Sequence, residues 1–221
     1  MTGTGSALQA HRAPAVWGAL VVSMTAVGGL LLALETSPAA SPSRLAAAAT
    51  APLRSTTDRT LDPTSIFDTR APAEKGRWTS IIINHSGSPI GSSQTIARQH
   101  EARGLKGLGH HFVIGNGSGA PDGQITIGYR WLDQLPGAHT AGPEGDYYNR
   151  NAIGICLVGD GERRPFTEAQ LRSLVELVTA LQERLGIPDD QVILHRSVSS
   201  STASPGRLFP EAAFRESLAL R

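Results

Sequence analysis

The segment Ile153-Gly154-Ile155-Cys156-Leu157-Val158 runs for six residues without a charged or strongly polar side chain. So short an apolar run reads as a strand buried on both faces, which places it at the centre of a sheet. The flanking sequence supplies its partners. Ile81-Ile82-Ile83 is a β-branched run that stops at Gly87-Ser88-Pro89, and Val192-Ile193-Leu194 is another. Phe112-Val113-Ile114 and Ile125-Thr126-Ile127 are joined across the glycine-rich segment 115–123. Asp122-Gly123 is hairpin turn chemistry, so these two strands form a hairpin.

Helical signals alternate with the strands. Ser92 or Ser93 can cap a helix running to about Arg103 and closed by Gly104. Thr167 followed by Gln170 is a capping box. Leu171, Leu174, Val175, Val178, Leu181 and Leu185 then recur at helical spacing before Gly186 and Pro188, a stripe read as core packing. A last helix spans Glu211 to Leu220. The expected fold class is mixed α/β, a central mixed β-sheet of about five strands flanked by helices. It follows an N-terminal transmembrane helix and a disordered linker.

The 221 residues suffice for one domain with extensions. After a short leader, 1–12, the stretch 13–34 holds no charged residue. At 1.5 Å per residue it reaches about 33 Å as a helix, enough to cross a hydrocarbon core of about 30 Å. It reads as a membrane anchor. Ser37, Ala39 and Ala40 leave a cleaved signal peptide as the alternative. Either way the domain lies outside the cytoplasm, membrane-anchored in the first case, secreted or periplasmic in the second. Residues 35–60, rich in Ala, Ser, Thr and Pro, read as a low-complexity linker, and 61–221 as the functional domain.

Composition excludes several functions. The net charge is +1, so no bulk field exists to hold nucleic acid. A single cysteine rules out an internal disulfide and a four-cysteine zinc site. Cys156, inside the apolar strand, reads as a small core hydrophobe. Segment 115–123 lacks the Lys-Ser/Thr ending of a phosphate loop. No nucleophile-elbow motif supports a serine hydrolase on Ser86 or Ser204. No protein partner is evident.

Of seven histidines, His11 lies in the leader and His100 on a helix face. His85 and His195 each stand at the carboxyl end of an apolar strand, and two such ends side by side would bring two imidazoles together. Imidazole is a common zinc ligand, and a catalytic zinc needs three protein ligands with a fourth position for water. Each could equally make an ordinary strand-end hydrogen bond.

Five segments occur in order: Ile81-Ile82-Ile83-Asn84-His85-Ser86, Gly107 to Ile114 with His110-His111, Gly137-Ala138-His139, Tyr148 to Gly159 with Asn149 and Asn151, and His195-Arg196-Ser197-Val198 with Ser204-Pro205-Gly206. Together, over about Trp78 to Pro210, they resemble the type 2 N-acetylmuramoyl-L-alanine amidase and peptidoglycan recognition protein family. The resemblance implies zinc-dependent hydrolysis of the amide between N-acetylmuramic acid and L-alanine, with peptidoglycan or muropeptide as the partner. It implies zinc ligands at His85, His195 and position 204, where the family carries Cys or Asp and this chain has Ser204. It implies catalytic roles for His110, which stands where the family usually has Tyr, for His139 at the developing oxyanion, and for Thr202. An imidazole at 110 could shuttle protons or replace the missing metal ligand. Asn149 and Asn151 are expected to bind substrate or to hold loop backbone. Serine lies outside the usual zinc ligand set, so a peptidoglycan-binding module without productive zinc is the alternative to the amidase.

Overall fold

The structure is a computed structural model and describes residues 65–220. The expected leader, membrane segment and linker, with the first four residues of the expected domain, lie outside the described residues. Among those described, no helix is long and apolar enough to cross a membrane.

Five strands form one sheet: β1 (Ser80–His85), β2 (Phe112–Ile114), β3 (Ile125–Ile127), β4 (Ala152–Leu157) and β5 (Val192–Leu194), in the order β3-β2-β4-β1-β5. β1 runs parallel to β4 and β5, β2 runs parallel to β4, and β3 pairs antiparallel with β2. The expected mixed sheet and hairpin are both present. β4 is buried at every residue, whereas β3, on the edge, is only partly covered.

The helices are α1 (Ser93–Glu101), α2 (Tyr129–Leu132), α3 (Gly145–Asn151), α4 (Glu168–Leu185), α5 (His195–Val198) and α6 (Glu211–Ala219). α4 begins in the capping box of Thr167 and Gln170 and ends at Gly186, whose φ of 75° is the left-handed geometry that glycine adopts freely. Leu174, Leu177, Val178, Leu181 and Leu185 are buried against Ile81, Ile83, Ile153, Ile155 and Leu157. Each such side chain contributes about 1.5–3 kcal/mol of burial. Gln170 is buried too, and its amide donates to the carbonyls of Ile114 (3.2 Å) and Val158 (2.9 Å), satisfying acceptors where β2 and β4 end.

Strand alternation sorts the rest. Val113, Cys156 and Val158 point to the opposite face and pack with Ile96 of α1 and Leu108. Cys156 is fully buried there, and burial pushes its thiol up to about 12. This second cluster covers only part of its face. The uncovered part is the cleft.

A histidine-lined cleft as candidate functional site

β1 and β5 run side by side with Ile83 opposite Leu194, so their carboxyl ends open on one edge of the sheet. Over that edge and the α1 face lies a cleft of about 490 Å³. His85, His110, His139, His195, Thr202 and Ser204 all line it, as do Asn84, His100 and Asn149. Asn151 does not. It lies at the end of α3, where its amide donates to the Tyr147 carbonyl at 2.9 Å.

Register refines the expectation at β1. Asn84 pairs with Cys156 and therefore faces the α1 side, while His85 pairs with Leu157 and belongs by alternation to the α4 side. His85 reaches the cleft only because the strand ends at it. Its Nδ1 accepts the Gly161 amide at 3.1 Å, and its own backbone N–H donates to Ser204 Oγ at 2.9 Å. Burial lowers its pKa against the opposing pull of Asp160, the Pro205 carbonyl and Glu162. His195 opens α5 directly after β5. Burial, with the His85 ring nearby, lowers its pKa to about 4, and its Nε2 is buried without a hydrogen-bond partner. The two rings thus share one cleft and both stay neutral near pH 7.

Ser204 is buried, and its hydroxyl is the acceptor that fixes the end of β1. Its backbone N–H donates to Thr202 Oγ1 at 3.1 Å, so Thr202 serves a local turn. Arg196 holds the same segment from α5, through its amide to the Ser204 carbonyl (2.6 Å) and its guanidinium to the Gly206 carbonyl (2.9 Å).

The His139 ring packs against β4 at Gly154. A Cβ at Gly154 would overlap the His139 ring, which explains a glycine inside the most buried strand. The ring is held at both nitrogens: Nδ1 meets Thr140 Oγ1 at 3.1 Å and Nε2 meets the Ala152 carbonyl at 3.3 Å. Asn149 clamps the loop. Its Oδ1 accepts the amides of His139 (2.8 Å) and Thr140 (3.0 Å), and its Nδ2 donates to the Thr140 carbonyl (2.8 Å). The backbone-holding alternative for Asn149 accounts for all of these bonds.

His110 stands between His100 and His139, with ring centroids 5.4 and 6.0 Å away. Among the described residues its side chain has no hydrogen-bond partner, and its Nδ1 is buried. Burial, followed by the neighbouring His139, His100, His195 and His111, drives its pKa well below the usual value. His111 is a structural staple that single-residue reasoning missed. Its Nδ1 accepts the Gly154 amide (2.9 Å) and its Nε2 meets the Leu135 carbonyl (3.0 Å), tying β4 to the loop that carries His139. Burial lowers it to about 3. His100 was also missed as a cleft residue, although its four-residue spacing from buried Ile96 puts both on one helix face.

A family-type zinc centre requires three donors such as His, Cys, Asp or Glu. Among the described residues, no group of three such side chains could hold a metal ion. The third position offers a neutral hydroxyl already engaged with the His85 amide, and His85 Nδ1 is engaged with Gly161. The residues present do not fit the zinc.

Comparison with known proteins agrees with the fold. Residues 74–207 match the family described as N-acetylmuramoyl-L-alanine amidase. The endolysin of Enterobacteria phage T3 is 35% identical over 92 residues, 39% of this chain and 52% of the phage protein. Mouse (Mus musculus) peptidoglycan recognition protein 3 is 27% identical over 100 residues, 45% of this chain and 25% of that protein. The chain therefore spans about half the length of the first and a quarter of the second. The solved structure of the N-acetylmuramoyl-L-alanine amidase LysC from Clostridium intestinale superposes with a TM-score of 0.56 at 27% identity, covering 66% of this chain and 87% of that one. With the family match falling on one stretch that makes up more than half of its length and the fold agreeing, the chain belongs to the N-acetylmuramoyl-L-alanine amidase family.

Proposed function

We propose that the domain binds the muramoyl-peptide part of peptidoglycan in this cleft and does so without a resident catalytic zinc. One observation carries the reading: the cleft is retained and its walls are internally braced, while the third metal position holds a serine hydroxyl that accepts the His85 amide. Family membership supplies the ligand class, since its relatives are named as amidases and peptidoglycan recognition proteins. The uncharged stretch 13–34 supports a domain held outside the cytoplasm, where that ligand is found.

The hydrolase reading has in its favour the His85–His195 pair and the unpartnered Nε2 of His195. One experiment separates the two. The purified full chain is incubated with peptidoglycan sacculi, with and without added zinc, and both co-sedimentation and release of free stem peptide are measured. Sedimentation without release is expected. Zinc-dependent release would establish the hydrolase, and failure to sediment would remove peptidoglycan as the ligand.

A further inference from the structure

The floor of the cleft holds a side chain that the bracing of its walls leaves half satisfied. Asn84 lines the cleft, yet only 1% of the residue is exposed. Along the sheet it is level with Cys156 of β4 and Val113 of β2, and Ile96 of α1 packs on the same face. A primary amide therefore stands in an apolar layer. Its orientation is fixed: Nδ2 donates to the carbonyls of Ile82 (3.0 Å) and Ile155 (3.3 Å), which turns Oδ1 away from both. Oδ1 is buried and has no hydrogen-bond partner among the described residues. The Cys156 thiol, opposite in register, is directed to the Leu157 carbonyl at 3.9 Å. A buried acceptor without a donor is costly, and a ligand that supplies the donor recovers the cost.

The surroundings select the kind of donor. A hydroxyl brings acceptor lone pairs, and an ammonium brings a charge and further donors, none of which Val113, Cys156 or Ile96 can satisfy. The N–H of a secondary amide is spent on a single acceptor. In a trans amide the carbonyl points the opposite way, back toward the open cleft. Resting on the peptidoglycan reading, we propose that Asn84 is a specificity-determining residue whose Oδ1 accepts a secondary-amide N–H of the bound muramoyl peptide. The 2-acetamido group of the sugar and the amide of the first stem residue share this chemistry.

Muramoyl dipeptide and two analogues test this by calorimetric titration into the full chain at pH 7.5. In one analogue an ester oxygen replaces the acetamido N–H; in the other it replaces the N–H of the first stem amide. Each change removes a donor and keeps the shape. The analogue lacking the N–H that Asn84 accepts is expected to bind about tenfold more weakly than the parent, since its ester oxygen then faces Oδ1. The other analogue is expected to bind like the parent, which identifies the group. Asn84→Leu, similar in volume and without the acceptor, is expected to abolish the difference. If that variant does not fold, a nuclear Overhauser contact between the ligand N–H and the Asn84 side chain in the wild type decides: its presence supports the assignment and its absence overturns it. Equal binding of all three ligands by the wild type, or a difference that survives in Asn84→Leu, overturns the role of Asn84 and leaves the peptidoglycan reading standing. If the parent does not bind, the peptidoglycan reading itself fails and the role of Asn84 falls with it.

Discussion

Lowering the pH through the imidazole range should unfold this domain with a steep dependence. His110, His111 and His139 are buried in the folded state, and each pKa is lowered by burial first, to about 3 for His111. In the unfolded chain each returns to about 6.5. The unfolded state therefore takes up protons first. Stability is full above about pH 7 and falls as the pH drops through 6.5 toward the folded values. Each ring contributes a slope of about 1.4 kcal/mol per pH unit, so three give about 4 kcal/mol per unit. A domain at the lower end of the usual 5–15 kcal/mol range is then unfolded near pH 5. His85, His100 and His195, more open to water, act in the same direction by less. Urea unfolding of the full chain at half-unit intervals from pH 7.5 to 5 gives the slope directly. The His110 side chain has no hydrogen-bond partner among the described residues, so His110→Phe should keep the packing and reduce the slope from about three protons to about two. A wild-type slope of one proton or less, or an unchanged slope in His110→Phe, refutes the neutral-cluster argument.

Ser204→Cys supplies a thiolate donor beside His85 and His195, and elemental analysis should find zinc near one equivalent where the wild type holds well under half. Gly154→Ala should displace His139 from β4, destabilising the fold by about 1–3 kcal/mol in urea denaturation and weakening muropeptide binding. Asn149→Ala removes three hydrogen bonds from the His139 loop, and amide hydrogen exchange at His139 and Thr140 should accelerate by at least tenfold while β4 stays protected.

Much of this fold is legible before coordinates. Apolar runs of three to six residues located all five strands, and the Thr167–Gln170 box located the start of the longest helix, because these signals are local. The short helices α2, α3 and α5 were not anticipated: with four to seven residues each they carry too little periodicity to register. At the site, the cleft positions of His85, His110, His139, His195, Thr202 and Ser204 were foreseen. The orientation of neighbours was not. That Asn84 rather than His85 faces the α1 side depends on pairing with Cys156, a long-range register no single segment encodes. The staple made by His111 likewise depends on Gly154 and Leu135, each more than twenty residues away.

The two faces of the sheet do different work, and this bears on how such a domain can change. One face carries the oily mass beneath α4 and α6; the other carries rings and amides laced to nearby main chain. Beside that lacing, His110 Nδ1 and His195 Nε2 stay buried without a partner among the described residues. Because the bracing of that face runs through protein groups alone, a replacement that changes what the cleft binds can leave the scaffold standing.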